Sequence, residues 1–243
     1  MPPLPSEATP RSPEDFAPLL TTHEPVLLVG GQAVNVWALY YADRTVEFAP
    51  FVSRDVDVLG DRATLADLAK IAGAKPRFFP LKPPSNEVGV VIGKDPQGQP
   101  LLIEVLRYVH GVTNDELQHP SFIVDLGAAQ VRLPSPIALL QAKAANVADL
   151  PQADRQDARH VQILARIMPA YLAEVQAATL QGDIQERALI TVLERLLSLV
   201  SQPKVKKVLT QLEIPVKALF DGIGHPELKK LQSFLNKRLP RAL

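Results

Sequence analysis

Ser53-Arg54-Asp55-Val56-Asp57-Val58-Leu59 decides how the first half of this chain is read. Carboxylates alternate there with apolar residues, and on an extended strand residues two apart project to the same side. The segment predicts a strand over residues 55–59, with Asp55 and Asp57 on one face and Val56 and Val58 on the other. Two carboxylates so placed repel one another unless a hard divalent cation lies between them or water surrounds them. The first arrangement points to phosphoryl-type transfer with magnesium; the second is a surface strand carrying two solvated aspartates. The apolar neighbours favour the first.

Upstream, residues 26–29 (Val-Leu-Leu-Val) read as a buried strand, and Gly30-Gly31 turns the chain into an amphipathic helix over 32–41. Glycines at a strand-to-helix turn let backbone N–H groups approach a phosphate with no Cβ in the way. Many α/β turns carry glycine for packing alone, so this signal draws its weight from the aspartates. Residues 1–25 hold seven prolines and read as a proline-rich arm, with a helical turn near 13–20. Downstream, a helix is expected over 63–71 with Gly73 just beyond it. Two β-rich runs, 87–92 and 101–108, flank a loop with hairpin chemistry, and a short strand ends at 131–133. After Pro134-Ser135-Pro136, Ala and Leu dominate, and helical periodicity covers 137–146, 153–167, 171–180 and 184–201. The organisation expected is an arm (1–25), a mixed α/β catalytic domain (26–133) and an all-α C-terminal domain (134–243).

Composition narrows the classes. With 243 residues and 47% hydrophobic content the chain can bury a substantial core. Twenty-six Lys and Arg balance 26 Asp and Glu, so the whole molecule has no basic signature of a dedicated nucleic-acid binder. Nine cations against three anions beyond residue 200 make a basic tail, suited to a polyanion or simply a solvated helical face. Cysteine is absent, which removes disulfides, thiolate metal sites and cysteine nucleophiles. His23, His110, His119, His160 and His225 form no HExxH or i,i+4 pair, which speaks against zinc. No apolar run is long enough to span a membrane and no signal-peptide pattern opens the chain, so a cytoplasmic protein is expected.

A third carboxylate on a neighbouring strand would complete a metal clamp and accept a proton. Glu104 is the candidate, because it interrupts Leu101-Leu102-Ile103-Glu104-Val105-Leu106, where an uncompensated charge is costly to bury. Solvent exposure, or pairing with Arg107 or Arg132, is the plainer alternative. Residues 93–98 have the glycine spacing of a Walker loop but continue into Gln99-Pro100 where Lys-Ser/Thr is needed, and no GxGxxG follows Val29.

The order Gly30-Gly31-Gln32-Ala33, a helix, then Ser53-x-Asp55-x-Asp57 resembles the nucleotidyltransferase superfamily related to DNA polymerase β. The interval is longer than in compact members, and residues 43–51 read as an insertion. Leu133-Pro134-Ser135-Pro136 through Lys143, followed by Arg155-Gln156-Asp157, is similar to AbiEii-type nucleotidyltransferases, the toxin half of some phage-defence and toxin–antitoxin pairs. The resemblance covers roughly residues 26–167. It implies an α+β fold: a small mixed sheet flanked by helices, followed by an all-α lobe. It also implies Mg²⁺-dependent transfer of an NMP from an NTP to a hydroxyl of tRNA, a protein or a small molecule. Asp55, Asp57 and Glu104 would hold a pair of metal ions, Gly30, Gly31 and Ser53 would cradle phosphate, and Lys143 with Asp157 would bind nucleotide. A cognate antitoxin is an implied partner.

Each of these residues also has an ordinary reading. Lys143 also reads as a solvated lysine on an Ala-rich helix, and Asp157 either orients Lys143 or a ligand hydroxyl, or pairs with a nearby arginine. Trp37 reads as packing more readily than as a platform for a base. A catalytically silent member that binds nucleotide or antitoxin, and a metal-dependent hydrolase, are the rival functions.

Overall fold

A computed structural model describes residues 9–82, 85–224 and 227–242; residues 1–8 of the expected arm and His225 lie outside it. The chain divides into two compact units. One comprises Glu47–Leu139 with the described part of Met1–Tyr40, and the other Leu140–Leu243 with Tyr41–Val46.

In chain order the elements are α1 (Pro13–Phe16), β1 (Leu27–Val29), α2 (Gly30–Tyr40), α3 (Ala42–Thr45), β2 (Asp55–Leu59), α4 (Arg62–Ile71), β3 (Arg77–Phe78), β4 (Glu87–Lys94) and β5 (Pro100–Leu106). There follow α5 (Asn114–Gln118), β6 (Ser121–Asp125), β7 (Gln130–Pro134), α6 (Pro136–Asp149), α7 (Asp157–Gln181), α8 (Glu186–Ser201) and α9 (Pro203–Gln211). The fold class is α+β: a mixed sheet flanked by helices, then a helical C-terminal region.

The first unit holds a seven-stranded sheet in the order β3-β4-β5-β2-β1-β7-β6. Strand β2 lies inside it, antiparallel to β1 and parallel to β5. Paired residues share a face, so Val56 opposite Ile103, and Val58 opposite both Val105 and Leu28, make one apolar layer. All five side chains are buried, each worth about 1.5–3 kcal/mol of transfer free energy. That layer fixes the register, since a slip of one residue would turn the aspartates into the core. Helix α4 starts where the Asp61 carboxylate accepts from Ala63 N and Thr64 N at 2.9 and 3.0 Å, and Gly73, at φ +59°, follows its end. The short strands β3 and β6 and helix α5 were not expected from the sequence. Helix α5 carries a legible capping box between Thr113 and Glu116.

Over its described part the proline-rich segment is built into the first unit. Ser12 and Asp15 cap α1, Phe16, Ala17 and Leu20 are buried, and Leu19 fills the space beside Gly93, where an added Cβ would come within 2.5 Å of Leu19 Cδ1.

In the second unit, α7 runs for 25 residues through Pro169, where two helices, 153–167 and 171–180, were expected. A proline inside a helix removes one hydrogen bond and crowds the preceding turn, at about 3 kcal/mol. Ile163, Leu164, Ile167, Met168, Tyr171 and Leu172 are buried on both sides of it, and their burial outweighs that penalty. The helix stops at Gly182, whose φ of +86° is left-handed. Helix α8 buries Leu189, Leu193, Leu196, Leu197 and Val200 at helical spacing. Residues 43–51, read as an insertion, include most of α3, which packs against α7; just before it, Tyr41 Oη donates to Glu174 Oε2 at 3.0 Å. Among the described residues no helix is long and apolar enough to cross a membrane.

Phe16 is fully buried in a segment with few other large side chains. Phe16→Ala is expected to lower the free energy of unfolding by about 3–5 kcal/mol, measured by denaturant titration followed by circular dichroism.

Candidate active site

Strand β2 alternates half-buried and buried residues along its length, so Asp55 and Asp57 emerge together on the face opposite Val56 and Val58. The parallel pairing places Glu104 of β5 directly beside Asp57, on the same face, and Leu102 beside Asp55. Three carboxylates from two adjacent strands therefore share one side of the sheet, next to Val29, which is paired with Asp57 from β1.

Gly30 follows Val29 and opens α2. Its φ is +66°, and a Cβ built on it would lie 1.8 Å from Asp57 Oδ2. Only glycine fits, for two independent reasons: the left-handed backbone and the carboxylate occupying the side-chain position. Asp57 thus sits against the first turn of an eleven-residue helix, whose leading N–H groups and dipole favour negative charge. Gly31 is buried in the same turn. Ser53 lies just before β2, and its hydroxyl donates to Asp55 Oδ1 at 3.0 Å. In this state the serine is engaged in holding Asp55.

Glu104 has no ion pair among the described residues. Arg107, one candidate partner, donates instead to the carbonyls of Ser85 and Glu87. Burial, then the charges of Asp57, Asp55 and Glu87, push the Glu104 carboxyl up from 4.5 to about 8. The two nearest acids raise it as like charges do across a short gap. Among the described residues no three His, Asp or Glu side chains close into a preformed metal-binding group. The case for a divalent cation rests on chemistry and register. Hard oxygen donors from neighbouring strands meet on a half-exposed face, and such a cation would offset the repulsion among them.

Lys143 and Asp157 belong to the second unit and hold one another. Lys143 Nζ donates to Asp157 Oδ1 at 2.9 Å, Asn146 Nδ2 to the same oxygen at 3.3 Å, and Arg155 Nε to Oδ2 at 2.6 Å. Both members of the pair are buried, so the reading of Lys143 as a solvated lysine gives way. Burial opposes the Asp157 charge, but the Lys143 charge and these three hydrogen bonds outweigh it and hold the carboxyl at about 2. Arg159, the other arginine weighed for Asp157, donates to Gln156 Oε1 at 2.8 Å. His160, one turn along α7, is buried with neither ring nitrogen bonded; burial and the Lys143 charge keep it neutral, well below its ordinary value. Trp37 is a packing residue: it is 5% exposed, its Nε1 donates to Pro134 O at 2.9 Å, and its ring meets Tyr40 and Phe122 edge-on.

Sequence reasoning missed Gln32, Arg11 and Asp95, which surround the start of β2. Gln32 was legible in retrospect as a polar residue beside the glycine pair; Arg11 and Asp95 carry no local signal, because their partners lie far along the chain.

No family model matches the chain, and no curated protein does. Among solved structures, the crystal structure of an antigenic nucleotidyltransferase-like protein from Paracoccidioides brasiliensis is similar over 87% of this chain and 99% of its own, with 14% identity and a TM-score of 0.40. A likeness of that degree transfers no residue role, and the site is read from its own geometry.

Gly30→Ala is expected to destabilise the protein by at least about 1–2 kcal/mol from the backbone conformation alone, with displacement of Asp57 added, as read by denaturant unfolding. Glu104 sets a pH dependence. Its proton is released near 4.5 in the unfolded chain and near 8 in the folded one. The stability it contributes is full below the unfolded value and is lost as pH rises through the folded value. In chelator-treated protein, Glu104→Gln is expected to lose less stability than the parent between about pH 5 and pH 8; equal losses would remove the group from the account.

Proposed function

We propose that this chain is a magnesium-dependent nucleotidyltransferase that moves an NMP from an NTP to an acceptor hydroxyl and releases pyrophosphate. The observation that carries the reading is the register of Asp57 against Glu104, with Asp55 on the same face and Gly30 pressed against Asp57. A glycine turn beside carboxylates on one sheet face supports this reading.

Asp55, Asp57 and Glu104 would hold the metal, with Ser53 orienting Asp55. When bound, Mg²⁺ supplies charge neutralisation and polarisation of the phosphoryl oxygens. Glu104, beside Asp57 on the same face, would complete that ligation or accept the proton of the attacking hydroxyl. The first turn of α2, opened by Gly30 and Gly31, offers backbone donors to phosphate. The acceptor class is a tRNA end, a protein hydroxyl or a small molecule. An AbiEii-like toxin role, with a cognate antitoxin as partner, rests on the resemblance of Lys143 and Asp157 to that group's lysine and aspartate. Their mutual hydrogen bond supports reading them as a pair.

The test incubates the protein with each α-³²P-labelled NTP, Mg²⁺, total tRNA and the protein itself as acceptors, beside Asp55→Ala/Asp57→Ala. Label transfer that falls at least about a hundredfold in the variant is the expected result. Release of γ-phosphate without NMP transfer would overturn the proposal in favour of a hydrolase, and nucleotide binding without turnover in favour of a silent binding protein.

A further inference from the structure

Arg11 lies outside every motif read from the sequence, yet it meets three of the elements that build the carboxylate face. Its N–H donates to Ser53 O at 2.8 Å, and its carbonyl accepts from Ser53 N at 2.9 Å. These bonds form an isolated antiparallel bridge just before β2. The same carbonyl accepts from Gln32 Nε2 at 2.9 Å. Gln32 is fully buried two residues after Gly30, and its Oε1 is held by Asn35 Nδ2 at 3.0 Å. The Arg11 guanidinium donates from Nη2 to Asp95 Oδ2 at 2.8 Å. Asp95 Oδ1 in turn accepts the N–H groups of Gln97 and Gln99, closing the hairpin that leads into β5 and Glu104.

Physical reasons make such an anchor necessary. Asp55 is the first residue of its strand, where hydrogen bonding ends and chains fray. Repulsion from Asp57, on the same face two residues along, adds an outward push on that end. Ser53, bonded through both backbone groups to Arg11, keeps its hydroxyl on Asp55 and resists that push. The Arg11–Asp95 pair, with side chains 26% and 7% exposed, is shielded enough to hold the segment more firmly than a surface pair would.

We infer that Arg11 is a positioning residue for the carboxylate face, a strap from the N-terminal segment that acts through Ser53, Gln32 and Asp95. Its consequence for activity rests on the metal-dependent reading above. Its consequence for the strand does not.

The experiment uses the full chain and compares the parent, Arg11→Ala, Arg11→Lys and Asp95→Asn. Amide hydrogen exchange over residues 53–57 is measured together with Mn²⁺ binding by electron paramagnetic resonance. Arg11→Ala and Asp95→Asn are expected to speed exchange over 53–57 about tenfold and to weaken Mn²⁺ binding about tenfold, leaving β6 and β7 exchange unchanged. Arg11→Lys is expected to recover most of both losses. Parental exchange over 53–57 in Arg11→Ala, or faster exchange spread evenly across the sheet, would overturn the inference. Should the parent bind no Mn²⁺ while Asp55→Ala/Asp57→Ala behaves identically, the metal reading fails by itself, and the exchange result alone decides the role of Arg11.

Discussion

Three carboxylates on one sheet face form an electrostatic arrangement that opposes its own assembly. Asp57 and Glu104 are placed side by side by the parallel pairing of β2 with β5, and Asp55 stands two residues away. Without a cation, the cheapest relief is to keep Glu104 protonated, which its elevated affinity near neutral pH expresses. The rest of the first unit supplies what that repulsion would otherwise undo. The layer of Val56, Val58, Ile103, Val105 and Leu28 on the other face locks the register, and the bare Cα of Gly30 leaves room for Asp57.

The two units handle acidic groups by opposite physical routes. In the first, like charges crowd and one carboxyl is driven toward its neutral form. In the second, Asp157 is buried but surrounded by Lys143, Arg155 and Asn146, and remains a firm anion. A buried pair of this kind is worth little against a hydrophobic substitute, yet it fixes the direction of the lysine.

Much of the first unit was legible in the chain. Alternation over residues 53–59 announced the strand and its two faces, because a period of two has one structural meaning when one side is apolar. The glycine pair announced a turn whose reason, the Asp57 carboxylate in the place of a Cβ, only coordinates reveal. Glu104 stood out as a charge within an apolar run, though its exact pairing with Asp57 depends on a crossover no local pattern encodes. Strand β6 escaped notice because it is a sheet edge with mostly half-exposed or exposed residues and no clean alternation. Pro169 misled in the other direction, since local preference for a break was overridden by burial on either side. Arg11 was invisible, as a residue whose partners are 21, 42 and 84 positions away must be.

The path of the chain through its two units has a further consequence. Tyr41–Val46 leaves the first unit, joins the second, and returns before β2 begins. There Tyr41 bonds to Glu174, and α3 packs on α7, more than a hundred residues later in the chain. During synthesis this excursion emerges from the ribosome long before its docking surface exists, so it must wait, unburied, while the rest of the chain is made. A cut after Leu139 would orphan that loop, and neither unit can be excised as one uninterrupted piece of polypeptide.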